Sequence, residues 1–239
     1  MRLAALITGG KDSALALHRV LKEGHEVAYL VTMIPQREDS WMYHFPNIRL
    51  TDFFAEASGI PLVKAETSGV KEEEVEDLKR LLTELDVDGI VSGAVYSEYQ
   101  KSRIDRVCRE IGMKSISPLW HLNPLRLMRE LIDLRFEVIV VGVYAHGLDQ
   151  NWLGRKIDQS VLDELVELRR KYRISIIGEG GEFETFVLHA PYFKNRIQIV
   201  DAEVIWENGS GYLSIERAEL AQNPGLSSAF YVQMCARKT

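Results

Sequence analysis

The sequence predicts an α/β protein: a doubly wound parallel sheet of five strands, followed by a smaller α+β domain. Three observations carry the prediction. Short apolar runs alternate with amphipathic helical patterns from Leu3 to Trp120. The first strand–helix junction is a glycine turn, Thr8-Gly9-Gly10-Lys11-Asp12-Ser13, which belongs at the ligand edge of a parallel sheet. Past residue 122 the alternation stops, and closely spaced strand patterns near 197–206 and 211–217 take over. The boundaries are therefore drawn at 1–122 and 123–239.

Leu3–Ile7 is an apolar run fit for a buried strand. Beyond the turn, Ala14, Leu15, Leu17, Val20 and Leu21 share one helical side, and Gly24 is a natural stop. His25–Ile34 reads as the second strand, so the unit is β-α-β with parallel pairing. Its carboxyl edge holds Thr8–Ser13 and the segment around Met33. Residues 35–48, PQREDSWMYHFPNI, have no period but carry Trp41, Met42, Tyr43, His44 and Phe45. We read this loop as a lid over nucleotide or substrate; the alternative is a loop tucking its aromatics into the core.

Ile48–Ser58 is a helix closed by Gly59, and Ile60–Ala65 is a strand. Lys71–Leu85 is a charged helix whose KEEEVED run is a solvated face. Asp88–Val95 is a strand ending in Ser92-Gly93-Ala94. In the helix Ser97–Ile111, Ser97 and Gln100 form a capping box. Lys101 and Arg103 start from the same ligand edge and are read as reaching phosphates or a substrate carboxylate. Met113–Ser117 completes the first sheet. Asn123–Leu134 is a helix capped by Asn123, with Pro124 at its first position. Phe136–Tyr144 is an apolar strand, 145–157 is glycine-punctuated, and Asp158–Tyr172 is a helix. Ile174–Ile177 and Phe186–Leu188 read as core strands around GEGGEFET, residues 178–185.

Composition narrows the class. The 239 residues are 46% hydrophobic with a net charge of −6, enough apolar content to bury a real core. The acidic balance argues against a general nucleic-acid or membrane-surface binder. Cys108 and Cys235 lie far apart without a CxxC, so neither a disulfide framework nor a zinc signature is present. No apolar run is long enough to span a bilayer and no signal peptide precedes the first strand. The expectation is a cytoplasmic protein.

Two stretches carry chemistry. In Thr8–Ser13 the paired glycines let the backbone turn sharply and let a bulky anion approach its N–H groups. The helix start adds free donors and the positive end of the dipole. Lys11 brings a full charge and Ser13 a hydroxyl, so the turn suits a phosphate. A Walker A loop is written GxxxxGK[ST]; here Ala5 stands where its first glycine belongs and Asp12 follows Lys11. The GxGxxG of a dinucleotide fold is absent too. In GEGGEFET, Glu179, Glu182 and Glu184 crowd carboxylates together, and Glu182 and Glu184 would share one face of an extended segment. Such a cluster wants Mg²⁺, an ammonium group or a proton. The alternative is a glutamate-rich hairpin on the surface.

Thr8–Ser13 resembles the PP-loop of the N-type ATP pyrophosphatases, usually written SGGxDS, with Thr8 in place of the first Ser. Those enzymes cut ATP between its α and β phosphates. Taken with GAVYSEYQKSR (93–103), SPLW (117–120), the GL…LG segment at 147–154 and GEGGEFET, nearly the whole chain resembles the archaeal and eukaryotic diphthine–ammonia ligases. The resemblance implies a HUP-like PP-loop fold, with ATP and Mg²⁺ as cofactors. It implies adenylation of the diphthine carboxylate on translation elongation factor 2 and amide formation with free ammonium. It implies ATP binding by Thr8, Gly9, Gly10, Lys11, Asp12, Ser13, Met33 and Gly93, with Lys11, Asp12 and Ser13 at the chemistry. Asp12 is read either as a Mg²⁺ ligand or as a helix cap. Tyr99, Gln100, Arg103, Glu179, Gly180, Gly181, Glu182, Glu184 and Thr185 fall on the substrate side. There Phe183, Phe186 and nearby Tyr192 would help hold the quaternary ammonium of diphthine. Two alternatives stand: another PP-loop adenylating enzyme, such as one modifying tRNA, or a non-catalytic ATP-binding sensor. The lack of paired cysteines argues against a tRNA thiolase. Homo-oligomerisation is left open.

Overall fold

In the computed structural model, which describes residues 1–36, 47–68, 70 and 72–222, the first apolar run forms β1, Arg2–Leu6. There follow α1 (Lys11–Lys22), β2 (Glu26–Pro35), α2 (Thr51–Ser58), β3 (Leu62–Thr67) and α3 (Glu73–Thr83). β4 (Gly89–Val91), α4 (Glu98–Glu110) and β5 (Lys114–Ile116) complete the first half. The strands form one five-stranded sheet in the order β3-β2-β1-β4-β5, all parallel. The chain runs outward through β2 and β3, then returns to add β4 on the other side of β1. The loops after β1 and β4 therefore leave in opposite directions and open a crevice between them. Thr8–Ser13 and Ser92-Gly93-Ala94 stand at that crevice.

Amphipathic periodicity explains how helices cover both faces. α1 buries Ala14, Leu15, Ala16, Leu17 and Val20 on one face of the sheet. On the other face Val31, Met33 and Ile90 meet Val75, Leu78 and Leu82 of α3 and Ile104 and Val107 of α4.

The second half holds α5 (Pro124–Asp133), β6 (Glu137–Val143), α6 (Gln159–Tyr172), β7 (Phe183–His189), β8 (Asn195–Glu207) and β9 (Ser210–Gln222). Its four strands are antiparallel, in the order β7-β6-β9-β8. β8 and β9 form a long hairpin whose turn, Asn208-Gly209, has φ of 51° and 82°, as a two-residue turn matching strand twist requires. One apolar cluster runs from Leu3 and Leu17 to Val138, Phe186 and Phe193, so the two sheets share a core.

Local chemistry sets the helix ends. Ser97, Asn123 and Asp158 accept the N–H of Gln100, Arg126 and Val161, capping α4, α5 and α6 as their side chains predict. The helix expected over Ile48–Ser58 begins as a 3-10 turn, Ile48–Leu50, before α2, and ends at Gly59 with φ 71°. The strand expected over Ile174–Ile177 does not form. α6 ends at Arg173 with φ 62°, and the following backbone closes turns from Gly178 N–H to Ser175 O and from Gly181 N–H to Gly178 O. Ile174, Ile176 and Ile177 are still buried, so they anchor a loop rather than a strand. The lid read into the 35–48 segment rests on Trp41–Phe45, which lie outside the described residues. Among the described residues no helix is long and apolar enough to cross a membrane.

Candidate active site

The glycine turn is shaped by the second sheet. Val187 N–H of β7 donates to Gly9 O at 2.9 Å, and Lys11 N–H donates to Thr185 Oγ1 at 3.2 Å. The edge of β7 thus pairs with the turn as a neighbouring strand would. Gly9 has φ 85°, and a Cβ on it would lie 2.7 Å from Phe186 Cε2. Gly10 caps α1 in an extended conformation, and Ser13 Oγ donates back to Gly10 O at 3.1 Å. The N–H groups of Asp12 and Ser13 sit in the first turn, where a helix has no acceptor for them. From below, Gly93 presses on the same turn: its absent Cβ would lie 2.6 Å from Ser13 N and 2.7 Å from Asp12 C. These glycines fix an anion cradle that no side chain can occupy.

Around the cradle lies a cavity of about 470 Å³, a size suited to a small-molecule ligand. Thr8, Gly10, Lys11, Asp12 and Ser13 line one wall, with Ser92, Gly93 and Ala94 at the base. Tyr99 and Gln100 of α4 line the flank. Glu179, Gly180, Gly181, Phe183, Glu184 and Thr185 complete the lining. Lys11 is 3% exposed. Its ammonium donates to Ile177 O at 2.6 Å and to Asp12 Oδ2 at 2.8 Å, tying the glycine turn to the segment before Gly178. The Glu179 carboxylate accepts the Tyr96 N–H at 2.9 Å, a second tie at the mouth.

The profile of the diphthamide synthase N-terminal domain matches residues 1–115, and that of the diphthamide synthase C-terminal domain matches 123–221. The chain belongs to the diphthamide synthase family. It is 34% identical to the diphthine–ammonia ligase of Homo sapiens over 238 residues, covering 90% of this chain and 89% of that protein. With that of Danio rerio it shares 36% identity over 224 residues, 84% of this chain and 87% of the other. The Saccharomyces cerevisiae ligase is 31% identical over 241 residues, which is 84% of this chain but 35% of that longer protein. Among solved structures, a predicted subunit of tRNA methyltransferase from Methanocaldococcus jannaschii aligns with a TM-score of 0.44 and 16% identity, covering 80% of this chain and 97% of that one.

Not every residue expected at the family's site reaches the cavity. Met33 is 2% exposed and packs in the core against α3 and α4, because its position in β2 points away from the crevice. Arg103 lies with its guanidinium 3.6 Å from the Tyr99 ring centroid and bonds Glu72 Oε1 at 2.8 Å. It braces Tyr99 from behind rather than facing the cavity. Lys101 is paired with Asp105. Glu182 does not share a face with Glu184. Its Oε1 accepts Ser175 N–H at 2.9 Å and its Oε2 accepts Gly180 N–H at 2.8 Å, so the carboxylate organises its own loop. Phe186 is buried under Gly9, and Tyr192 is half-buried with its hydroxyl donated to Ala14 O at 3.1 Å. Burial pushes the Tyr192 phenol well above its ordinary range.

The structure adds residues to which the sequence reading assigned no role. Ser92 lines the cavity and shares a hydrogen bond of 2.9 Å with Ser117 Oγ. Tyr96 holds Glu179, and its exposed ring stacks on His121 at 5.4 Å. For Ser92 the signal was legible, since it sits beside Gly93 at a strand's carboxyl end. For Tyr96 the link to Glu179 spans 83 positions and has no local signature. Among the described residues no group of three or more His, Cys, Asp or Glu could hold a metal. Asp12, 30% exposed at the cavity wall, is the carboxylate that would hold a Mg²⁺ together with phosphate oxygens and water.

Proposed function

We propose that the chain is an ATP-dependent diphthine–ammonia ligase, with residues 1–122 binding ATP and 123–239 forming the acceptor side. The pairing of β7 with the glycine turn carries this reading. It supports the reading by bringing the residues of the glycine turn and Glu179 and Glu184 to the lining of one cavity. The acceptor is diphthine on translation elongation factor 2.

A carboxylate is a poor target for ammonia, because oxide would have to leave. Its oxygen instead attacks the α-phosphorus of ATP. The bond to the β-phosphate breaks, and pyrophosphate departs. Ammonia then forms the C–N bond at the acyl carbon, AMP leaves, and the nitrogen loses a proton. The chain's part is positioning and charge balance. The N–H groups of Asp12 and Ser13, with the α1 dipole, take the charge of the departing pyrophosphate. Lys11 sets the geometry of that turn through Ile177 O and Asp12. Bound Mg²⁺, held at Asp12, would neutralise phosphate charge. Glu179 and Glu184 repel the polyphosphate and attract ammonium, which keeps nucleotide and acceptor apart.

Labelled ATP, with modified elongation factor and ammonium, should yield AMP and pyrophosphate in step with amide formation. Product separation reads this directly, and accumulation of ADP would overturn the assignment. A tRNA-modifying role would instead show tRNA-dependent AMP release.

A further inference from the structure

The acceptor's quaternary ammonium cannot donate a hydrogen bond and needs an aromatic face or a carboxylate. The aromatics near the glutamate loop do not offer one. Phe186 is buried, the half-buried Tyr192 is packed against Phe54 and Phe193 with its hydroxyl on Ala14 O, and the Lys11 ammonium already stands 5.5 Å from the buried Phe183 ring centroid. The second sheet supplies a different surface, joined to the cavity through Glu184. Glu184 of β7 stands opposite Gly142 of β6, and Gly142 stands opposite Tyr212 of β9. Residues in one cross-strand row share a face.

Gly142 has no side chain, and Tyr144, just past the end of β6, fills the gap. A Cβ on Gly142 would lie 2.8 Å from Tyr144 Oη, 2.9 Å from its Cε2 and 3.0 Å from Glu184 Cβ. The hydroxyl end is therefore sunk against Gly142 and Glu184. Burial, and then the charges of Glu184 and Tyr212, push that phenol up to about 12, so it stays neutral at physiological pH. The residue as a whole is nonetheless exposed. Tyr144 is 44% exposed and Tyr212 36%. Tyr144 is also tied to the glutamate loop, since its N–H donates to Glu182 O at 2.9 Å. Glu184 lines the cavity that holds the glycine turn.

We propose that Tyr144, Tyr212 and Glu184 form the subsite for the acceptor's quaternary ammonium. It rests on the reading that the acceptor is diphthine. Two exposed rings offer their negative faces, and one carboxylate supplies the counter-charge. A ring that merely covers a strand glycine would matter for stability but not for methylation of the acceptor.

The test uses the full chain, ATP, ammonium, and elongation factor carrying the acceptor with or without its N-methyl groups. Tyr144→Leu and Tyr212→Leu should each raise KM for the trimethylated acceptor about fivefold to tenfold. The KM for ATP should stay unchanged, and the preference for the methylated acceptor should shrink. Tyr144→Phe keeps the ring and should behave as wild type. Tetramethylammonium chloride should compete with the acceptor, whereas sodium chloride at equal ionic strength should not. Folded leucine variants with unchanged acceptor KM and preference would overturn the subsite, and so would the absence of competition by tetramethylammonium on the wild type. A wild-type chain that amidates neither acceptor would instead defeat the functional reading beneath it.

Discussion

Replacing Gly93 with alanine tests the cradle at its most crowded point. The new Cβ would meet Ser13 N at 2.6 Å, Asp12 C at 2.7 Å and Ser13 Cα at 2.8 Å. All three are backbone atoms of a helix start, so no side-chain rotation can relieve them. The shortfall from ordinary contact is about 0.8 Å, and over-packing of this kind costs about 1–3 kcal/mol. α1 cannot simply retreat, because Val187, Thr185 and Phe186 hold the turn from the far side. The Asp12 and Ser13 N–H groups must therefore shift relative to the phosphates. A misplacement of about 1 Å is enough to cost about 100-fold in rate. The expected outcome is a melting temperature lower by about 3–10 °C. Calorimetric titration with a non-hydrolysable ATP analogue should show affinity weakened at least about tenfold, since each factor of ten is about 1.4 kcal/mol. Gly24→Ala is the control. It meets nothing within 4 Å but has φ 83°, so it loses stability through backbone strain and keeps nucleotide affinity. Wild-type affinity in Gly93→Ala would refute the cradle.

Lys11→Met removes the ammonium from Ile177 O and Asp12; thermal unfolding should show a loss of about 1–3 kcal/mol, and AMP release should fall with it. An unaltered ATP affinity there would contradict a role for Lys11 in shaping the turn. Glu182→Gln leaves one of the two N–H groups, Ser175 or Gly180, facing an amide NH₂, so the melting temperature and the amide exchange protection of 175–182 should drop. Glu184→Gln should keep the melting temperature and ATP binding while amidation is lost, a split that a shared structural role would not produce. His18 and His189 have pKa values lowered first by burial from 6.5. The unfolded chain then takes up protons before the folded one as pH falls, so stability is intact above that value and declines below it. Melting curves between about pH 7.5 and 5.5 should show the decline, and His18→Phe should flatten it.

Much of the molecule was legible residue by residue. The β1–α1 turn is a local event. Its glycines, its cap and its first helical turn are contiguous, so their chemistry can be read without knowing what surrounds them. Ser97, Asn123 and Asp158 marked their helices for the same reason. The alternation of strands and helices likewise determined a parallel sheet, since parallel neighbours need a crossover. Where the reading failed, a local pattern met a distant constraint. Ile174–Ile177 has strand composition, but the left-handed Arg173 and the turns through Gly178 and Gly181 leave it no partner to pair with.

The sequence by itself determined that glycines, a lysine and clustered glutamates belong to one chemistry. Only the tertiary structure decided how they divide the work. It set β7 as an edge strand whose Val187 N–H reaches Gly9 O across 178 positions, the contact that seats the second sheet on the glycine turn. It spent Glu182 on backbone donors because a loop bent through Gly178 and Gly181 turns N–H groups inward that need an anion. It turned Met33 into the core, since its position in β2 faces α3 and α4. And it gathered Glu184, Gly142 and Tyr212 into one row, because antiparallel register rather than spacing along the chain chooses which side chains meet.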